Sequence, residues 1–129
     1  MTHLEAPAVH PLTRTLTQTQ IVAYARASGD FNPIHVDEAF ARNTPLGGTI
    51  AHGMLVLAFI SEMMTAAFGR AWLEGGRLDV RFRSPSRPGD TITARASAGK
   101  AEDGLIRYQV ECVNGAGEQV ISGTAWVKP

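Results

Sequence analysis

Cysteine is nearly missing from this chain: Cys112 is the single one among 129 residues. No disulfide can form within it. One cysteine with four histidines also falls short of a structural zinc set, and no metal is expected. Net charge is missing too, with 12 Lys and Arg against 12 Asp and Glu. That balance leaves no electrostatic footprint for nucleic acid or an anionic membrane. It does favour self-association, so an oligomer is expected. The N-terminus MTHLEAPAVHP has no basic start followed by an apolar run, and no signal peptide is expected. The most apolar stretch, Gly53 to Gly69, carries Glu62 and is short for a bilayer. A soluble cytoplasmic location is the expectation.

What is there suffices for one core. Hydrophobic residues make up 44% and charged residues 19%, which excludes a disordered chain. There is no repeat, and residues 1–129 read as one domain. Residues 1–11, broken by Pro7 and Pro11, read as a loosely ordered lead-in with His3 and His10 solvated. Leu12 to Thr17 alternates as a short strand. Thr17 and Gln20 fit a capping box, Ile21, Tyr24 and Ala25 follow at helical spacing, and Gly29 is the stop. Gly53 to about Phe68 is apolar on every side over its first two turns, so a helix buried all round is expected, ending at Gly69.

After Gly75 and Gly76 the period becomes two. Leu78, Val80 and Phe82 alternate with Arg77, Asp79, Arg81 and Arg83, which places the charged set on the solvent face. Strands at Thr91–Ala98, Leu105–Asn114 and Glu118–Pro129 follow, with turns at Ser84–Asp90, Gly99–Gly104 and Asn114–Gly117. One apolar helix and one long antiparallel sheet must cover each other, an α+β arrangement. Pairing of exposed sheet edges into a homodimer, or a higher homo-oligomer, is expected.

Between the first helix and the apolar one lies SGDFNPIHVD, Ser28 to Asp37. It packs a glycine, two carboxylates, an amide, a proline and a histidine into ten residues. Pro33 holds Asn32 out of helical geometry, so a loop is expected. Asp37 reads as the start of one or two helical turns over VDEAFARN.

These residues carry a resemblance. YARASGDFNPIHVDEAFA (Tyr24 to Ala41), His52-Gly53-Met54 and RFRSPSRPGDTI (Arg81 to Ile92) together resemble the MaoC-like dehydratases, and among them the (R)-specific 2-enoyl-CoA hydratases. The likeness runs over about residues 12–127. Ala27 departs from it, standing where a larger aliphatic residue would pack the helix. The resemblance implies a hot-dog fold, an antiparallel sheet wrapped around one long central helix. It implies a hydro-lyase that reversibly adds water to trans-2-enoyl thioesters, giving (R)-3-hydroxyacyl thioesters. The substrate carrier is coenzyme A or acyl carrier protein, and no cofactor is expected.

Such hydration needs an acid, a base and a stabiliser for the thioester oxygen. The resemblance implies Asp30 and His35 as a catalytic pair sharing one water. Read alone, the two residues fit a turn cap and a satisfied polar side chain. Asn32 reads as an Asx-turn former, with orientation of the pair as a further role. Gly53 opens the apolar helix, where an unpaired N–H and the helix dipole suit an oxyanion. The alternative is a glycine kept for close packing. His52 reads as structural.

Ser61 lies two turns on from Gly53, either bonded one turn back or touching the pair. Met54 and Leu57 are candidates for the acyl pocket. Arg83, with Arg77, Arg81 and Arg87, is a candidate for the phosphates of coenzyme A, although solvation alone explains them. Glu62 supports a competing reading, an acyl-CoA thioesterase, unless it pairs with an arginine. A non-catalytic acyl-thioester-binding subunit is the third reading. Cys112 reads as packing.

Overall fold

A computed structural model describes residues 6–97 and 99–129. The expectations for His3 and for the strand end at Ala98 lie outside the described residues.

Strand β1 (Leu12–Thr15) leads into α1 (Gln18–Ser28), closed at its start by the expected capping box. The Thr17 side chain accepts from Gln20 N–H, and the Gln20 side chain accepts from Thr17 N–H. Gly29 ends the helix in the left-handed region at φ 79°, which a Cβ disfavours. The expected loop holds a helical turn of its own, α2 (Pro33–Val36). Pro33 starts it, where a missing N–H costs nothing. Asp37 then caps α3 (Glu38–Arg42), accepting from Phe40 N–H at 3.0 Å.

The central helix α4 (Gly53–Phe68) has the expected bounds. Its burial differs from expectation. Val56, Phe59, Ile60, Met63 and Met64 form one buried stripe, while Met54 is 56% exposed and Ala58, Glu62 and Ala66 face outward. The sheet covers one side of the helix only. An unexpected short helix, α5 (Arg70–Gly75), follows and buries Trp72.

Strands β2 (Arg77–Phe82), β3 (Thr91–Ser97), β4 (Ala101–Glu102), β5 (Leu105–Val113) and β6 (Gln119–Val127) complete an antiparallel sheet. Its order is β1-β3-β5-β6-β2, with β4 pairing on β5 inside the expected turn. Strand alternation sends Ile92, Ala94, Ile106, Tyr108, Cys112 and Ile121 against the helix stripe. This is the hot-dog arrangement. Fully burying each isoleucine of this set is worth about 1.5–3 kcal/mol.

Residues 6–11, the described part of the lead-in, carry two anchors. Val9 is buried in the core, and Tyr108 donates from its hydroxyl to the Pro7 carbonyl at 2.6 Å. His10 is exposed. Ala27 is exposed on α1, so a small residue there leaves no gap in the core.

Candidate active site

The site is built at the end of α1. Ser28 Oγ donates to the Tyr24 carbonyl at 2.8 Å and accepts from Asp30 N–H at 3.2 Å. Asp30 Oδ1 accepts from Asn32 N–H at 3.1 Å. Asn32 Oδ1 accepts from Ile34 N–H at 3.3 Å and so caps α2. Asn32 thus serves twice: its side chain starts the turn, and its backbone aims the Asp30 carboxylate.

The short helix α2 turns His35 inward, where it is 7% exposed. His35 Nδ1 lies 2.8 Å from the Ile50 carbonyl. A carbonyl only accepts, so Nδ1 carries the hydrogen and neutral His35 presents a lone pair at Nε2. That nitrogen lies 3.8 Å from Asp30 Oδ2. The gap is too long for a direct hydrogen bond and leaves room for one oxygen atom in reach of both.

His52 ties this pair to the start of α4. Its Nε2 donates to the Asp30 carbonyl at 2.9 Å, and its ring stacks on His35 with centroids 3.9 Å apart and planes at 25°. The Tyr24 ring also packs against it, tilted by 55° with centroids 4.7 Å apart. One ligand atom each from Asp30, His35 and His52 fall within 4.8 Å of one another. One ring nitrogen of each histidine is already engaged at a carbonyl, His35 Nδ1 at Ile50 and His52 Nε2 at Asp30.

A cavity of about 510 Å³ joins His35 to Gly53, Met54, Phe82 and Arg83. Gly53 N–H and Met54 N–H have no hydrogen-bond acceptor among the described residues, as the first donors of a helix. Phe82 lies directly over Gly53: a Cβ there would come 2.8 Å from its ring. Close packing and a free N–H donor therefore coexist at this glycine. Phe82, expected to point into the core, is 54% exposed because β2 ends at this residue and the ring turns over the cavity.

Other expected residues fall elsewhere. Ser61 is a correction: its Oγ accepts from Trp72 Nε1–H at 3.0 Å, and no hydrogen bond joins it to Asp30 or His35 among the described residues. The unexpected helix α5 supplies that indole. Leu57 is a second correction. It sits about 60° around the helix from Met54 and packs against the core, apart from the cavity lining. Arg83 stands in the lining and donates from Nε to Ser122 Oγ at 2.9 Å. Glu62 pairs with Arg14 at 2.6 Å, half-exposed and outside the lining. Cys112 is buried, and burial followed by the Glu111 charge pushes its thiol up to about 12.

A family model described as MaoC like domain matches residues 2–119. The chain belongs to the MaoC-like family. This MaoC-like chain is 33% identical over 118 residues to the (R)-specific enoyl-CoA hydratase of Rhodospirillum rubrum, covering 90% of this chain and 81% of that one. It is 29% identical over 126 residues to the 3-hydroxybutyryl-CoA dehydratase of Methylorubrum extorquens, covering 97% and 80%. Its structure resembles that of the unliganded R-hydratase PhaJ1 from Pseudomonas aeruginosa with a TM-score of 0.84 at 29% identity, covering 97% and 81%. The sequence motifs left the Ile50 carbonyl and the His52 contact unnoticed. The pairing of His52-Gly53 with a catalytic loop was the available signal for the second.

Proposed function

We propose that this MaoC-like chain is a hydro-lyase that reversibly adds water to trans-2-enoyl thioesters, giving (R)-3-hydroxyacyl thioesters. The 3.8 Å opening between Asp30 Oδ2 and His35 Nε2 carries this reading. An Asp–His pair sharing one proton closes the reaction. The member without the proton takes one from the attacking water, and the other delivers its own to the α carbon. Water's two fragments add to one face of the alkene, and the pair ends with the proton count it began with.

The thioester oxygen is stabilised at the N–H of Gly53, at the positive end of α4. Met54 flanks the acyl chain, and Arg83 meets the phosphates of a coenzyme A carrier. Acyl carrier protein is the other carrier class. The chemistry needs no metal or redox cofactor. Among the described residues no helix is long and apolar enough to cross a membrane, in keeping with action in the cytoplasm. The edge strand β2, with Phe82 and Met54 exposed beside it, suits pairing with a second copy.

The test is loss of the conjugated enoyl absorbance of crotonyl-CoA and longer homologues, with product chirality read by an (R)-specific dehydrogenase. No turnover across the series, or an (S) product, would overturn the reading. A thiol reagent in the same assay detects any release of free coenzyme A. None is expected, because Glu62 is held by Arg14 away from the cavity.

A further inference from the structure

The catalytic reading requires His35 to hold its hydrogen on Nδ1, and a single loop carbonyl, that of Ile50, decides this. Ile50 lies between α3 and α4, where no helix or sheet ladder holds the chain. A carbonyl in such a segment stays aimed only when its neighbours are tied. Three successive N–H groups are tied here, each to a different part of the fold. Thr49 N–H donates to Glu38 Oε2 on α3 at 3.1 Å. Ile50 N–H donates to the Ile34 carbonyl of α2 at 3.0 Å. Ala51 N–H donates to the Ser86 carbonyl at 2.7 Å.

Side chains complete the frame. Thr49 is 3% exposed. Its hydroxyl proton is shared between Glu38 Oε2 at 3.0 Å and Gln18 Oε1 at 2.9 Å. The Gln18 amide then donates from Nε2 to the carbonyl of His35 itself at 2.9 Å. Gln18 therefore touches both the backbone of the histidine and the residue before its carbonyl clamp. We infer that Gln18, Glu38 and Thr49 form a brace that fixes the Ile50 carbonyl and thereby selects the Nδ1–H tautomer of His35. All three are positioning residues, acting on the substrate only through His35. The Thr49 hydrogen bonds hold the Glu38 carboxyl below its ordinary range, which keeps it an acceptor.

The consequence for catalysis rests on the proposed hydratase reading. The tautomer itself does not, and it is read without substrate. Nitrogen-15 shifts of histidine-labelled protein report which ring nitrogen carries the hydrogen. The expected wild-type result is Nδ1–H at His35. Glu38→Ala and Thr49→Val are each expected to move the population toward Nε2–H. They should also lower kcat on crotonyl-CoA about tenfold, with KM within about twofold, as misaimed catalytic groups do. Glu38→Gln keeps an acceptor and is expected to stay near wild type in both readouts. If a melt shows that Glu38→Ala or Thr49→Val fails to fold, Gln18→Met removes the other arm of the brace and is expected to give the same tautomer shift. Wild-type tautomer in the folded variants, or an Nε2–H tautomer in the wild type, would overturn the brace. A tautomer shift in a protein inactive on every enoyl-CoA would leave the brace standing and remove the hydratase reading instead.

Discussion

The ring of His52 lies flat on the ring of His35 with centroids 3.9 Å apart, and its Nε2 holds the Asp30 carbonyl at 2.9 Å. One side chain thus touches both Asp30 and His35, through a ring face for the histidine and a backbone oxygen for the aspartate. Removing it frees both. His52→Leu is expected to lower kcat by about tenfold or more, whereas His52→Phe keeps the stack and loses only the hydrogen bond. A kcat series ordered wild type, Phe, Leu supports this division. Equal loss in the two variants would show that stacking contributes nothing.

If Asp30 and His35 act on one oxygen atom, as proposed, their losses do not add. Asp30→Asn and His35→Asn are each expected to cut kcat by roughly 10² to 10⁴. The double variant should fall little below the worse single one. A double variant whose loss is the product of the two would indicate independent roles. Steady-state kinetics on crotonyl-CoA decide the matter.

Gly53 is set against the ring of Phe82, an exposed side chain able to swing away. Gly53→Ala keeps the backbone N–H but pushes the ring about the cavity mouth. The expected loss in kcat/KM is about tenfold. Adding Phe82→Ala should restore a good part of it, because the donor is intact and the obstruction gone. If the double variant is no better than Gly53→Ala, the ring is not the cause.

Glu38 gives the fold a definite acid response. Its carboxyl sits below the ordinary value of 4.5 in the folded chain, chiefly through the Thr49 N–H and hydroxyl, with Arg42 adding to the effect. A lowered folded value means that the stabilisation is complete above about 4.5 and is lost as pH falls through the folded value. The melting-temperature gap between wild type and Glu38→Gln should therefore be constant near neutrality and shrink below pH 4.5. A gap that does not change with pH would place the effect in packing.

Much of this was legible in the chain because it is local. The capping box of Thr17 and Gln20, the stop at Gly29 and the bounds of α4 at Gly53 and Gly69 are written within a few residues of where they act. Asp30 and His35 were legible as a motif, and the structure brings them together. What escaped lies in contacts across distance. Trp72, eleven residues from Ser61, donates to the hydroxyl that the helix spacing offered to Asp30 and His35. Six residues between Gly69 and Gly76 were too few to show a helical period, so α5 went unseen. Alternation sent Phe82 inward, but the strand ended under it. Gln18, Glu38 and Thr49 have no shared pattern in sequence. They meet only after α1, α3 and the segment before α4 have docked.

The buried stripe of α4 also sets an order of events during synthesis. Phe59, Ile60, Met63 and Met64 leave the ribosome well before β3 and β5, the strands that cover them, whose last residue is Val113. At about 5–20 residues per second that wait is roughly 2 to 10 seconds. For that interval the nascent chain displays its stickiest surface with no sheet to receive it. Slow codons placed between Gly69 and Thr91 would lengthen the exposure.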